Sequence, residues 1–176
     1  MQHHEIDDLM QRLPTLDGQA QGAALSQVEV QRAELRSRLE LHAEKGSTPF
    51  VRAAAMYLMG RHRLDECVPY LLRHIEFDAP HEVPSHREPL WERYPAIEAL
   101  VHIGKPSVLS TVDMLAEEED DLRRNLAVRV LRGIEGTDFA RQILERRTAE
   151  EDDLGRKAKL ADAMERLVAF PTITRP

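Results

Sequence analysis

Apolar residues recur at intervals of three and four from Leu25 almost to the end of the chain. This spacing puts them on one face of a helix, and the short alternating runs between turn pairs that are typical of strands are nearly absent. The pattern therefore predicts an all-α protein. A short first helix should end near Pro14, and we expect this first piece to be loosely attached. Its apolar residues are Ile6, Leu9, Met10 and Leu13.

Residues typical of helix ends indicate two further helices after the first one. A longer helix is predicted from Gly22 to Lys45, because Lys45-Gly46 provides a basic residue and a glycine at its C-terminus. Thr48-Pro49 begins the following helix with an N-cap and a first-turn proline. One side of the longer helix carries Leu25, Val28, Leu35, Leu39 and His42.

Four segments of the chain resemble one another. Three of them begin at Ala55, Ala96 and Ala127, and a weaker copy begins at Leu160. Each segment has small or apolar residues at positions i, i+3, i+4 and i+7, with alanine where two helices must approach closely. A polar turn and a second amphipathic helix follow each of the first three, so the repeating unit is a helical hairpin. The second helices present Val68, Leu71, Leu72 and Ile75, then Val108, Val112 and Leu115, then Ala140, Ile143 and Leu144.

The spacing of the copies agrees with two helices and two turns. Ala127 follows Ala96 by 31 residues, and the acidic run 118–122 recurs at 150–154, after 32 residues. The first interval is longer, and we predict an inserted loop at 78–92, which has no helical stripe and contains Pro80, Pro84 and Pro89. The second helices should begin at Asp65 as a cap, at Lys105-Pro106 and at Thr137-Asp138.

The segments 51–60, 96–106 and 131–138 resemble HEAT repeats, especially the short HEAT-like repeats of phycobilisome lyases and of many bacterial scaffold proteins. The resemblance covers residues 47 to 168. It implies a short α-solenoid of stacked antiparallel helical hairpins in a right-handed superhelix, whose second helices line a concave face that holds other proteins.

The predicted organisation follows from the need to seal the two ends of such an array. Residues 1–21 form a short helix and a loop, and residues 22–46 form an N-terminal capping helix. Residues 47–170 form the repeat array with its inserted loop, and its last helix acts as the C-terminal cap. Residues 171–176 form a tail.

Composition narrows the range of partners. The net charge of −7 argues against binding to the nucleic-acid backbone. The chain has no apolar run of about 18 residues, so we predict no membrane insertion. We see no export signal, and the cytoplasm is the default location, although a signal already removed would not be visible. The oligomeric state and the compartment stay open at this point.

The reactive side chains match no catalytic or metal-binding motif, and we predict a protein that is not an enzyme and holds no cofactor and no metal. The acidic runs 117–121 and 150–153 could attract a cation or a basic protein, but each precedes a helix, where the helix dipole makes negative charge favourable, and this favours a structural role. His62, which replaces an isoleucine of the sister repeats, should bond to carbonyls at a helix end. Cys67 has no evident base beside it, and we expect it to be partly buried.

Histidines in and near the insertion do not have the spacing of a metal site. Deoxyhypusine hydroxylase, a HEAT-like enzyme, holds iron with His-Glu pairs on its repeat helices. Here such pairs occur only at His4-Glu5 and His81-Glu82, outside the predicted repeat helices, so that chemistry is not expected.

Function is predicted from the polar positions of the second helices and from the aromatic residues of the insertion. We predict a non-enzymatic scaffold or adaptor that binds a protein or peptide partner through the concave face and the inserted loop. The alternative is an accessory lyase-like or chaperone-like protein that positions a small molecule in the groove. Trp91 and Tyr94 are either interface anchors or packing between hairpins. The candidate residues are Glu66, Tyr70, Arg73, His74, Trp91, Tyr94, Ser107, Ser110, Thr111, Met114, Arg141, Gln142 and Glu145.

Overall fold

The computed structural model of the chain describes residues 3–16, 20, 24, 32–79 and 93–169. Within these ranges the protein is helical and has no strand, which confirms the predicted all-α class. Short 3-10 helices at Leu13–Thr15, Asp65–Cys67 and Lys105–Ser107 accompany the longer ones. The α-helices of the described residues are α1 (His3–Arg12), α2 (Arg32–Lys45), α3 (Pro49–Arg61), α4 (Val68–Arg73), α5 (Pro95–Ile103), α6 (Val108–Glu117), α7 (Asp121–Glu150) and α8 (Leu154–Ala169).

The chain divides into two compact units, residues 1–103 and residues 104–176. The division falls between α5 and α6, which are the two helices of the predicted second hairpin. Each unit is described by itself below.

In the first unit, α3 is the central helix and packs against α2 and α5, and α5 also packs against α4. Gly60 near the end of α3 lies directly against the backbone of α5. A Cβ atom at Gly60 would be 2.5 Å from the Cα of Ala99 and 2.9 Å from its carbonyl oxygen. The close approach predicted for the small residues of the repeats is therefore present between these two helices.

The first helix is firmly attached, and the prediction of a loose attachment is wrong. Its apolar face is buried, and α1 packs against α2 and α3. Asp7 of α1 also bonds to α2, with its carboxylate 2.9 Å from Nε2 of His42 and 3.3 Å from Arg38. The short amphipathic helix buries enough apolar surface to be held in place. Its buried residues are Ile6, Leu9, Met10 and Leu13.

In the second unit, α6, α7 and α8 each pack against the other two. Gly136 interrupts α7 with φ 74° and ψ 170°, so α7 is two helices joined by a kink at the point where the turn before Thr137 was predicted. The core of this unit comes from the predicted apolar stripes. It includes Val112, Leu115, Ala127, Val130, Leu131, Leu144, Leu160, Ala163 and Leu167.

Residues with a positive φ lie where helices end. Within the described part of the chain, the residues with positive φ are Arg63, Gly104 and Gly136. They lie 41 and 32 residues apart, whereas the predicted repeats at Ala55, Ala96 and Ala127 lie 41 and 31 residues apart. A residue in this conformation ends a helix and reverses the chain, and glycine adopts it without steric cost.

The helix starts agree with the predictions in one case and differ in another. The hydroxyl of Thr48 accepts the backbone N–H of Val51 at 3.2 Å, as expected for an N-cap. Asp65, in contrast, is the first residue of a 3-10 helix that leads into α4, and neither that helix nor α4 has a side-chain cap bond. The prediction of a cap at Asp65 is therefore wrong.

Candidate protein-binding surfaces

The first candidate surface lies along α4 in the first unit. Tyr70 donates its hydroxyl to a carboxylate oxygen of Glu44 on α2 at 3.2 Å, and Nε2 of His74 is 3.4 Å from the same oxygen. The rings of Tyr70 and His74 are in contact, with centroids 4.5 Å apart. Glu66 and Arg73 are exposed on the same short helical segment. We call Glu44, Glu66, Tyr70, Arg73 and His74 together the α4 surface.

The environment keeps the Tyr70 phenol protonated. Partial burial raises its pKa well above the usual value, and the negative charge and hydrogen bond of Glu44 raise it further. Tyr70 is therefore a neutral hydrogen-bond donor that Glu44 fixes in one orientation. Arg52 supports this region from α3, since it donates to the carbonyl of Ala43 at 2.8 Å and lies 4.3 Å above the ring of Phe77.

The two ends of the predicted insertion are joined to each other. Arg93 donates to the carboxylate of Asp78 at 2.7 Å, and the backbone N–H of Ala79 donates to the carbonyl of Arg93 at 2.9 Å. Tyr94 is half-buried at the start of α5, with the Arg93 guanidinium 5.5 Å above its ring. Trp91 lies outside the described residues, so its predicted role stays a prediction.

Two of the candidate residues in and directly before α6 are buried. Ser107 donates its hydroxyl to the carbonyl of Gly104 at 2.7 Å, and Thr111 donates to the carbonyl of Ser107 at 2.7 Å. Because each hydroxyl is satisfied by a nearby carbonyl, the side chain can join the core without an unpaired donor. Neither side chain is exposed to solvent, so neither can contact a partner. When the second helices of the first two repeats are aligned, Thr111 matches Leu71 and Ser107 matches Cys67. These apolar counterparts were the sequence signal that Thr111 and Ser107 are buried.

The other candidates of the second unit are accessible. Ser110 and Met114 are half-buried on α6, and Arg141, Gln142 and Glu145 are exposed on the second half of α7. Arg141 is 2.8 Å from Glu145, one helical turn away.

Two exposed apolar residues belong to the same helices as these candidates, and the sequence reasoning missed both. Leu109 is 72% exposed near the start of α6, and Phe139 is 63% exposed just after the kink of α7. Each lies outside the apolar stripe of its helix, and from this position in the sequence its exposure could have been predicted.

The acidic runs have a structural role at the starts of helices, as predicted, and the structure shows that each run provides a helix N-cap. Asp120 accepts the backbone N–H of Arg123 at 2.9 Å, and Asp153 accepts that of Arg156 at 2.8 Å. The two capping aspartates are 33 residues apart, whereas the acidic runs 118–122 and 150–154 are 32 residues apart in the sequence. The structural repeat is therefore Glu-x-Asp-x-x-Arg, where the glutamates are Glu118 and Glu151.

The two glutamates of this motif are held ionised by their surroundings. Burial alone would raise the pKa of Glu118, but hydrogen bonds from Arg123 and from two backbone amides lower it overall. The backbone N–H of Asp153 and the guanidinium of Arg156 lower the pKa of Glu151 in the same way. Each motif therefore joins a loop to the first turn of a helix and has a structural role.

Two groups considered for chemistry are withdrawn from the surface. Cys67 is fully buried, not partly buried as expected. Nε2 of His62 is also buried and has no hydrogen-bond partner among the described residues, so this nitrogen does not bond to a helix-end carbonyl as the prediction for His62 would allow.

The described ranges contain neither a metal-binding cluster nor a membrane-spanning helix. No group of three or more His, Cys, Asp or Glu side chains is arranged there to hold a metal ion. No helix in these ranges has the length and apolar character to cross a membrane.

His62 lies directly after α3, and the pH dependence of stability tests whether its side chain is buried in the neutral form. Burial, and secondarily the charge of Arg61, lowers its pKa below 6.5. The unfolded chain therefore takes up a proton more readily, and stability falls as the pH drops below about 6.5. His62→Ile, matched to Ile103 and Ile134 of the sister repeats, should lessen this loss.

The measurement is denaturant unfolding at pH 7.5 and at pH 5.5. We expect the difference in unfolding free energy between the two pH values to be smaller in the variant than in the wild type. The exposed His102, changed to glutamine, is the control. An unchanged pH dependence in His62→Ile would show that this side chain is not buried in the neutral form.

Comparison of the chain with family models, with curated proteins and with solved structures found no match.

Proposed function

We propose that this protein is a non-enzymatic binding module of HEAT-like helical hairpins that holds a protein partner through its second helices. The observation that carries the proposal is the ordered α4 surface. There Glu44 fixes both Tyr70 and His74, and Glu66 and Arg73 are exposed beside them.

The chemistry of the α4 surface suits a protein partner. Tyrosine and arginine contribute most often to the binding energy of protein interfaces. Rings that are already held in place lose little side-chain entropy on binding. Because Arg73 and Glu66 carry opposite charges, the surface favours neither a phosphate backbone nor a strongly charged ligand.

The repeat interpretation rests on the hairpin turns. Residues with a positive φ recur at 63, 104 and 136, at intervals that agree within one residue with those of the predicted repeats. The capping motif of the second unit recurs after one repeat length. These features support HEAT-like units, each of which has to pack against a neighbour to bury its apolar stripe.

The alternative role in small-molecule positioning has less support. A reactive group in the groove would support it, and the thiol of Cys67 is fully buried. No observation of the structure favours this role over partner binding.

Affinity capture from the native lysate with matched variants tests the proposal. Arg73→Glu and Tyr70→Phe alter the α4 surface, and Arg12→Ala alters an exposed residue of α1 in the same unit. We expect a protein retained by the wild type and by Arg12→Ala to be reduced at least about tenfold by Arg73→Glu, because a reversed charge at an interface is strongly unfavourable.

Thermal unfolding of each variant is the control for folding. If every captured protein is retained equally by the wild type and by both α4 variants, the α4 surface is not the binding site and the proposal is wrong.

A further inference from the structure

The last helix of the second unit has an apolar outer face. Its inner face is buried against α6 and α7. On the outer side Leu154 is 81% exposed and Val168 is 67% exposed, and Ala158 between them is also exposed. A helix that seals the end of a repeat array is expected to be polar on this side, and this face differs from that expectation in having exposed apolar residues at its two ends.

The outer face of α8 is symmetric about Ala161. Leu154 and Val168 each lie seven residues from Ala161, on opposite sides. Lys157 and Glu165 lie four residues from it, also on opposite sides. Positions seven and four residues apart on a helix lie on nearly the same side as the reference residue. Positions at equal distances on the two sides of Ala161 therefore match: the outer pair is apolar at both positions, and the inner pair carries opposite charges.

We propose that α8 forms an antiparallel pair with α8 of a second copy of this chain, around a two-fold axis at Ala161. In this register Leu154 meets Val168 of the second copy, and the small Ala161 lets the helices approach closely at the axis. Lys157 meets Glu165 of the second copy, so the pair contains two symmetric ion pairs.

The charges of Lys157 and Glu165 favour a second copy of the chain as the partner of this face. Lys157 and Glu165 form no ion pair within the described part of the chain. The antiparallel register places each beside a charge of opposite sign, whereas a parallel pairing in register would place each beside its own copy. Opposite charges in this arrangement favour the antiparallel pair and disfavour the parallel one.

The dimer should be weak. One pair of 16-residue helices makes a small interface, below the size of stable complexes. We therefore expect the dimer to dissociate on dilution. This inference does not depend on the proposed partner binding, since the α4 surface belongs to the other unit.

Charge reversal with mixing tests the register. Lys157→Glu and Glu165→Lys each place like charges together in their own homodimer, and each should weaken dimerisation by about tenfold or more in sedimentation velocity. An equimolar mixture of the two variants restores both ion pairs in the heterodimer and should recover dimers. Asp138→Lys at an exposed position of α7 is the control and should dimerise as the wild type does.

A disulfide test locates the axis. Ala161→Cys should give a covalent dimer under oxidised glutathione, whereas Ala149→Cys on α7 should not, and the buried Cys67 should not compete. A wild type that stays monomeric over the concentration series would overturn the proposal, as would equal cross-linking at 149 and 161 or single charge reversals without effect. A monomer would also be the result if residues 170–176 or another protein cover this face.

Discussion

Replacing Gly60 with alanine is expected to lower the free energy of unfolding by about 3 kcal/mol, because the added methyl group would overlap the backbone of α5. The Cβ position is 2.5 Å from the Cα of Ala99, and this neighbour is backbone and not the end of a movable side chain. To accommodate the methyl group, α3 and α5 would have to separate along their whole contact. Denaturant unfolding monitored by circular dichroism measures the change.

Gly155→Ala is the matched control for this substitution. Gly155 lies in the first turn of α8, where the nearest atom to a new Cβ is a side-chain oxygen of Asp153 at 3.2 Å. Alanine favours a helix more than glycine does, so the stability of this variant should be unchanged or slightly raised. If both variants have the same stability, the close approach of α3 and α5 is not present in solution.

Asp162→Ala should destabilise the second unit by about 2 kcal/mol, because it removes the charged hydrogen-bond partner of the buried Arg124, while the carboxylate itself is 41% exposed. The Arg124 side chain is only 8% exposed, and it donates to Asp162 at 2.6 Å and to the carbonyl of Lys159 at 2.7 Å. Asp162 also accepts from Arg166 at 2.5 Å, so one carboxylate joins α7 to α8.

Asp113→Ala provides the comparison in the same unit. Asp113 is 54% exposed and lies 3.3 Å from Arg147, so this ion pair joins α6 to α7 at the surface. Exposed pairs contribute less than about 1 kcal/mol, and we expect a correspondingly small loss. Equal losses in the two variants would contradict the assignment of Arg124 to a buried site.

Periodicity and helix-end residues were sufficient to predict most of the helices. Thr48-Pro49 and Lys45-Gly46 marked helix ends that the structure confirms, because capping depends on residues close in sequence. The alignment of repeats also predicted the turn at Gly136, where the local backbone requires a left-handed residue. These are local effects, so a single sequence is enough to detect them.

The candidate surfaces were only partly predictable. Tyr70 and His74 were identified from α4 alone, but Glu44, which orients both, comes from a helix 26 residues earlier. Polar character alone also gave no warning that Thr111 is buried, since a hydroxyl bonded to the carbonyl one turn earlier behaves as an apolar group. Contacts between distant segments depend on packing, which the pattern of one chain does not specify.

Site-specific photo-cross-linking tests the proposed partner binding most directly. A photoreactive phenylalanine analogue placed at position 73 in the native host should give a discrete cross-linked species with one other protein, and the same group at position 12 should not. The cross-link at 73 should be lost when Tyr70→Ala is added, if the variant remains folded by circular dichroism. No adduct at position 73, or identical adducts at positions 73 and 12, would contradict the proposal that the α4 surface holds a protein partner.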